Sequence, residues 1–105
     1  MREFEMKNLA TILPALYTVE NEPDPLVKAK LFMPDGPGTW FLLEFDPSDR
    51  VVFCYADLGI PGCAELGYSS LDEIESIRGA LGLKVELDEW WEPCPLSEVT
   101  SGVRR

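Results

Sequence analysis

Residues 26–56 decide the fold; they read LVKAKLFM (26–33), PDGPG (34–38), TWFLLEF (39–45), DPSD (46–49) and RVVFCYA (50–56). The three longer runs are rich in branched and aromatic residues, a composition typical of β-strands. The two short intervals contain proline, which presets φ, and the first also contains glycines, which accept a positive φ. Three strands joined by such tight turns predict an antiparallel meander over residues 26–56.

Alternation within these strands predicts which side chains are buried. On the first strand, one face is predicted to carry Val27, Ala29, Leu31 and Met33, with Lys28 and Lys30 on the other. On the third strand, Cys54 lies between Phe53 and Tyr55. A free cysteine in such a position acts most often as a small buried apolar group, so we expect packing from Cys54 rather than reactivity.

Helical signals flank the meander on both sides. An apolar stripe at helical spacing is formed by Leu9, Ile12, Leu13 and Leu16. Pro14 lacks a backbone donor and disfavours helical geometry before it, so the first helix is predicted to end or kink there. Downstream, Ser70-Leu71-Asp72-Glu73 fits a capping box and predicts a helix over about residues 71–78, with Gly79 or Gly82 as its stop.

Shorter signals complete the predicted fold. Residues 63–68 can add a fourth strand, residues 84–90 alternate with period two as a C-terminal strand, and residues 95–99 predict a helical turn. Pro93 and Pro95 are expected to prevent much regular pairing near the C-terminus. The prediction is an α+β fold: an antiparallel sheet of four to five strands packed by an N-terminal helix and by the helix at about 71–78.

The length of 105 residues fits one domain spanning 1–105, with 1–5 as an upstream extension and 100–105 as a loose tail. Three cysteines, Cys54, Cys63 and Cys94, are an odd number without a C-x-x-C pair, which favours a reducing compartment and a cytoplasmic location. No apolar stretch approaches the ~20 residues that cross a bilayer.

The net charge is −10, from 19 acidic against 9 basic residues, and histidine is absent. Nucleic acid and anionic membranes both attract basic proteins, so direct binding to either is not expected. The absence of histidine excludes a Ser-His-Asp or Cys-His arrangement within the chain. No glycine-rich phosphate loop is present, and we expect no cofactor.

Carboxylates are the remaining groups for catalysis. Glu44 and Asp46 are two apart on a predicted strand and so share a face, and Glu65 approaches them if its strand lies nearby. Such a trio suits Mg²⁺ or Ca²⁺, which take oxygen ligands. A small metal-dependent enzyme using Glu44, Asp46 and Glu65 is therefore one hypothesis, and a solvated sheet face is the other reading of the same residues.

The aromatic and acidic residues of the second half favour protein binding. If residues 84–91 form a strand, one of Trp90 and Trp91 enters the core and the other faces outward, where Glu89 and Glu92 would flank it. The alternative is that a C-terminal segment folds over the outward tryptophan.

Residues 57–98 contain ten acidic residues against Arg78 and Lys84, and Asp72 and Glu75 lie on the predicted helix. A run of this kind is either a solvated face or an imitation of a phosphate backbone. The main hypothesis is a non-catalytic module that binds a partner protein with a basic surface.

Segments along nearly the whole chain resemble one known family. They are Met6-Lys7-Asn8-Leu9, Leu13-Pro14-Ala15-Leu16-Tyr17, residues 28–34, Thr39-Trp40, Glu44-Phe45-Asp46, Glu65-Leu66-Gly67-Tyr68 with Ser70-Leu71, Ile77-Arg78-Gly79 with Gly82-Leu83, and residues 93–98. In this order they resemble the domain-of-unknown-function 2958 family of small bacterial proteins. The resemblance implies an intracellular domain in a plasmid, phage or other mobile-element setting, and it brings no established activity. It implies no catalytic residue. The acidic run over residues 57–98 supports a sharper form of the protein-binding hypothesis, in which the chain inhibits a host nucleic-acid-binding defence protein.

Overall fold

A five-stranded antiparallel sheet forms the centre of the computed structural model, which describes residues 6–104 and side chains from Leu9 onward. The elements are α1 (Met6–Ile12), β1 (Leu26–Val27), β2 (Ala29–Phe32), β3 (Thr39–Asp46), β4 (Val51–Asp57), β5 (Glu65–Ser70), α2 (Leu71–Ser76), β6 (Glu86–Leu87), β7 (Cys94–Pro95) and α3 (Leu96–Thr100). The strand order is β5-β4-β3-β2-β6, and β1 and β7 form a separate two-stranded sheet. The α+β prediction is confirmed, including the antiparallel meander, the added fourth strand and the C-terminal strand.

The first predicted strand is divided at Lys28. β2 pairs with β3, whereas β1 leaves the large sheet and pairs with β7 through Leu26↔Pro95 and Val27↔Cys94. Val27 therefore packs in a different cluster from Ala29 and Leu31, and the prediction that these residues share one face is wrong for Val27. The prolines permit this short pairing, because the strand containing Pro95 is only two residues long and lies at an edge.

The sheet separates two buried clusters. The first cluster lies on the face covered by α1 and α2 and contains Leu9, Leu13, Ala29, Leu31, Trp40, Leu42, Phe45, Val52, Cys54, Leu71, Ile74 and Val85. The second lies on the opposite face and contains Val27, Phe41, Leu43, Cys94 and Val99. β3 supplies large side chains to both clusters because it is the central strand and is buried on both faces.

A β-bulge at Leu43 determines which side chains of β3 enter each cluster. Leu42 pairs with Cys54, but the next pair is Glu44 with Phe53, so Leu43 is an extra residue. As a result Leu42 and Phe45 both enter the first cluster although they are three apart. Glu44 lies on the opposite face, beside Phe53.

The end of α1 and the start of α2 agree with the sequence signals, whereas α2 ends earlier than predicted. α1 ends at Ile12, just before Pro14. At α2, the Ser70 hydroxyl accepts a hydrogen bond from the Glu73 amide at 3.3 Å, the first bond of the predicted capping box.

α2 ends at Ser76, before either glycine, because Ile77 adopts an extended conformation (φ −69°, ψ 138°). The backbone of Arg78 then forms an isolated antiparallel β-bridge with that of Lys84. Leu81 lies beyond α2 and is 78% exposed.

The segment predicted as a loose tail, residues 100–105, forms hydrogen bonds through Arg104. The Arg104 amide donates to the Glu98 carbonyl at 2.8 Å, and the Arg104 guanidinium donates to the Glu92 carbonyl at 2.9 Å. The predicted upstream extension, 1–5, lies outside the described residues. Among the helices that are described, none is long and apolar enough to cross a bilayer.

Candidate functional site

Trp90 and Trp91 occupy a hydrogen-bonded turn between β6 and β7. The Asp88 carboxylate accepts the Trp90 amide at 2.9 Å, and the Asp88 carbonyl accepts the Trp91 amide at 3.3 Å. Trp90 is 91% exposed, whereas Trp91 packs against the second cluster. One tryptophan therefore points inward and the other outward, as predicted, but a turn produces this arrangement rather than strand alternation.

Trp91 anchors this turn to the sheet. Its indole N–H donates to the Val27 carbonyl at 3.0 Å, and its ring lies 5.7 Å from the Phe41 ring. The Lys30 ammonium lies 5.6 Å and the Arg104 guanidinium 4.9 Å from the centre of the indole, within the range of cation–π attraction. The backbone that carries Trp90 is therefore held from several directions.

Trp90, Glu89 and Glu92 form an exposed surface, here called the Trp90 patch. A large indole displayed to water between two carboxylates combines apolar area with negative charge. Lys30 and Arg104 lie against Trp91, and the Arg104 guanidinium also donates to the Glu92 carbonyl. The structure thus brings together the Trp90, Trp91, Glu89 and Glu92 that the sequence singled out.

Asp72 and Glu75 have an intramolecular partner. Arg50, the residue before β4, pairs through Nε with Asp72 Oδ1 at 2.6 Å and through Nη2 with Glu75 Oε1. The expected acidic face of α2 is therefore partly neutralised, since a guanidinium bridges two of its carboxylates. These acids join α2 to the start of β4.

The three carboxylates of the metal hypothesis do not converge. Glu65 pairs with Ala56, which packs against the first cluster, whereas Glu44 pairs with Phe53 on the other face. The Asp46 carboxylate accepts the Ser48 amide at 3.0 Å in a turn. Over residues 6–104 no three His, Cys, Asp or Glu side chains are grouped so that they could hold a metal ion.

Glu44 instead lies in a pocket that sequence reasoning missed. Its side chain is only 2% exposed, and its Oε2 accepts the Val19 amide at 2.8 Å. The pocket has a volume of about 260 Å³ and is called the Glu44 pocket; its lining residues are Tyr17, Val19, Glu20, Glu22, Pro23, Pro25, Glu44, Phe53, Leu66, Tyr68 and Leu96. Residues of the polar connector after α1 thus close over the second face of the sheet.

Two tyrosines stand at the Glu44 pocket. The Tyr17 and Tyr68 rings are 6.2 Å apart, and Tyr68 lies 5.0 Å from the Phe53 ring. Tyr17 has φ of 69°, in the left-handed region that a bulky side chain rarely adopts. The pKa of the Tyr68 phenol is raised by desolvation first and then by electrostatic interaction with Tyr17, Glu44 and Glu20.

One signal of this pocket is visible in the sequence. Glu44 is the single charged residue within the apolar run Trp40-Phe41-Leu42-Leu43-Glu44-Phe45. A carboxylate in the middle of a central strand indicates a buried polar site. The contribution of Tyr17 depends on how the connector folds back, which no local pattern encodes.

Comparisons with known proteins give a family. The model of a family described as "Protein of unknown function (DUF2958)" matches residues 5–102. Searches of curated proteins and of solved structures find no match.

Proposed function

The chain belongs to the DUF2958 family of proteins of unknown function, and on this premise we propose that it is a non-catalytic module that binds a partner protein with a basic surface. The family description carries no activity, so the proposal depends on the residues themselves. The observation that carries it is the 91% exposure of Trp90 on a turn whose backbone is fixed by Asp88 and Trp91.

Trp90 has the features of an interface anchor. Tryptophan contributes large contact area at low conformational cost and is enriched among the residues that dominate binding energy. Because the Trp90 amide is already bonded to Asp88 and Trp91 is already packed, little backbone freedom remains to be lost on binding.

The charge of the chain favours a basic partner. Glu89 and Glu92 flank Trp90, and the whole chain carries a net charge of −10. Such a field accelerates association with a positively charged surface and repels nucleic acid.

The sharper form of the proposal is an accessory protein of a mobile element that inhibits a host nucleic-acid-binding defence protein by acidic mimicry. Because Asp72 and Glu75 form ion pairs with Arg50, a surface that imitates nucleic acid would have to use the other acids, among them Glu89 and Glu92. A metal-dependent enzyme is the alternative, but it needs Glu44 and Glu65 on one face, and they lie on opposite faces.

We also propose a cytoplasmic location. Cys54, Cys63 and Cys94 are all free thiols, and free cysteines are typical of a reducing compartment.

Affinity capture with matched variants tests the proposal. Wild type, Trp90→Ala and Leu81→Ala would be immobilised and exposed to host lysate, and the partner recovered by wild type would then be purified and titrated. Leu81 is the control because it is another highly exposed apolar side chain, at 78%. We expect Trp90→Ala to weaken binding by about 30-fold, the loss typical of an interface anchor, and Leu81→Ala to have little effect.

Salt supplies the second readout. Contacts between acids and a basic partner weaken as ionic strength rises, so the affinity should fall with added NaCl. The affinity of the double variant Glu89→Gln, Glu92→Gln should fall less steeply with NaCl than that of wild type. Equal affinity of wild type and Trp90→Ala, or a partner that binds independently of salt, would refute the proposal.

A further inference from the structure

The Glu44 pocket has a strongly asymmetric charge. Three carboxylates line it, those of Glu20, Glu22 and Glu44, and no lysine or arginine is among its lining residues. Its remaining walls are aromatic or apolar. A pocket of this composition attracts a cation that also has an apolar or planar surface.

The burial of Glu44 distinguishes this pocket from an ordinary solvated acidic surface. A carboxylate that is 2% exposed is costly to bury unless it is paired or fully hydrogen-bonded. Within the described part of the chain, the Val19 amide on Oε2 is its single hydrogen-bond donor, and no lysine or arginine forms an ion pair with it. Oε1 is thus left to accept from a ligand at the base of the pocket.

The tyrosines define the shape of the cation. Tyr17 and Tyr68 are 6.2 Å apart, with Phe53 adjoining Tyr68, so a flat group entering the pocket meets aromatic rings. A guanidinium is planar, stacks on aromatic rings and donates several hydrogen bonds to a carboxylate. The pocket volume of about 260 Å³ is below the usual range of small-molecule sites and suits one side chain better than a cofactor.

The position of the pocket indicates how that side chain arrives. Leu66 and Tyr68 belong to β5, which is the edge strand of the five-stranded sheet. An edge strand can pair with an extended peptide, whose alternate side chains then enter pockets on the sheet face.

We propose that the Glu44 pocket binds the guanidinium of an arginine side chain presented by an extended segment of a partner protein along β5. Glu44 and Glu20 provide the charge, and Tyr17 and Tyr68 provide the walls. The proposal shares no residue with the Trp90 patch and does not depend on it.

The direct test is titration of the full chain with a blocked peptide that contains one arginine, followed by heteronuclear NMR and calorimetry. The matched probe is the same peptide with citrulline, which is neutral and nearly the same shape. We expect the citrulline peptide to bind at least about tenfold more weakly, since it loses the charge-assisted contact with Glu44. Arginine amide alone should bind more weakly than the peptide, because it makes no strand contact.

Two charge-matched variants assign the effect to the pocket. Glu44→Gln should weaken binding of the arginine peptide by about tenfold or more. Glu86→Gln makes the same charge change on β6, at the opposite edge of the sheet from β5, and should leave affinity unchanged. If Glu44→Gln is poorly folded, Tyr68→Ala replaces it: this side chain is 54% exposed, and removing the wall should also weaken binding.

The outcomes are distinct from those of the Trp90 experiment. Trp90→Ala should bind the arginine peptide as wild type does. Equal binding of the arginine and citrulline peptides, or an equal loss in Glu44→Gln and Glu86→Gln, would overturn the proposal. Binding of arginine amide as tight as that of the peptide would overturn the role of β5.

Discussion

Cys54 shows how burial controls the chemistry of a single side chain. It lies in the first cluster with 1% exposure, and its thiol is 3.7 Å from the Ser69 hydroxyl. Burial raises the pKa of the Cys54 thiol to about 11 from 9.0, against the smaller opposing effect of Ser69. A protonated buried thiol is a poor nucleophile, which agrees with the packing role expected from its place in the strand.

The raised pKa of Cys54 makes stability depend on pH in the alkaline range. Below pH 9 the thiol is protonated in both folded and unfolded chains, so it has no effect. Above pH 9 the unfolded chain loses this proton first, so the free energy of unfolding should decrease up to about pH 11, by about 2–3 kcal/mol in total from this group.

Urea denaturation at several pH values measures this decrease. Cys54→Ala should show a smaller decrease than wild type, and Cys63→Ala, at an exposed cysteine, should match wild type. A Cys54→Ala profile parallel to that of wild type would contradict the assignment.

Asp35 links two loops that are far apart in sequence. It lies in the turn between β2 and β3, and its Oδ2 accepts the amides of Leu81 at 2.7 Å and Leu83 at 3.2 Å in the connection between α2 and β6. Its Oδ1 is buried without a hydrogen-bond partner in the described part of the chain. Gly79 lies directly against it: a Cβ there would be 1.8 Å from Oδ1.

Gly79→Ala should therefore destabilise the chain. The added methyl group would displace Asp35 and weaken its bonds to Leu81 and Leu83, and we expect a loss of about 1–3 kcal/mol in the free energy of unfolding. Gly67→Ala is the control, because a Cβ at Gly67 meets nothing within 4 Å. Urea denaturation of both variants provides the comparison, and similar midpoints would show that Asp35 accommodates the methyl group.

Local signals predicted the elements better than the contacts between them. The turns at residues 34–38 and 46–49 and the cap at Ser70 depend on neighbouring residues, and all three are confirmed. The break at Lys28 and the bulge at Leu43 depend on pairing with distant strands. Their effects on Val27 and Glu44 could not be predicted from alternation.

The same distinction applies to the candidate sites. The sequence predicts one inward and one outward tryptophan, but by strand alternation, whereas the structure places both in a turn bonded to Asp88. The Glu44 pocket requires Tyr17 and Tyr68, which are distant in sequence, to meet over one sheet face. The metal hypothesis requires the strand of Glu65 to lie near Glu44, but the register of β4 with β5 places Glu65 on the other face.

The net charge of −10 acts on the entire chain. Carboxylates that repel one another in the folded state lower its stability, and dissolved ions screen this repulsion. We therefore expect the melting temperature to rise by roughly 4–8 °C with added NaCl, equivalent to about 1 kcal/mol.

Calorimetry in low and moderate NaCl measures this response. The combined Glu89→Gln and Glu92→Gln variant has two fewer negative charges and should respond less. A melting temperature that is constant or falls with salt would mean that the acids are already balanced within the fold.

The extra residue at Leu43 also constrains how the chain can change length. Strand side chains have an odd–even parity, and the bulge reverses this parity between Leu42 and Phe45. Deletion of Leu43 alone would remove the extra residue and leave Leu42 opposite Cys54 and Phe45 opposite Val52, so both side chains would keep their face. A deletion at Leu43 should therefore cost only the packing of that side chain in the second cluster, whereas a one-residue deletion elsewhere in β3 shifts the alternation of the strand.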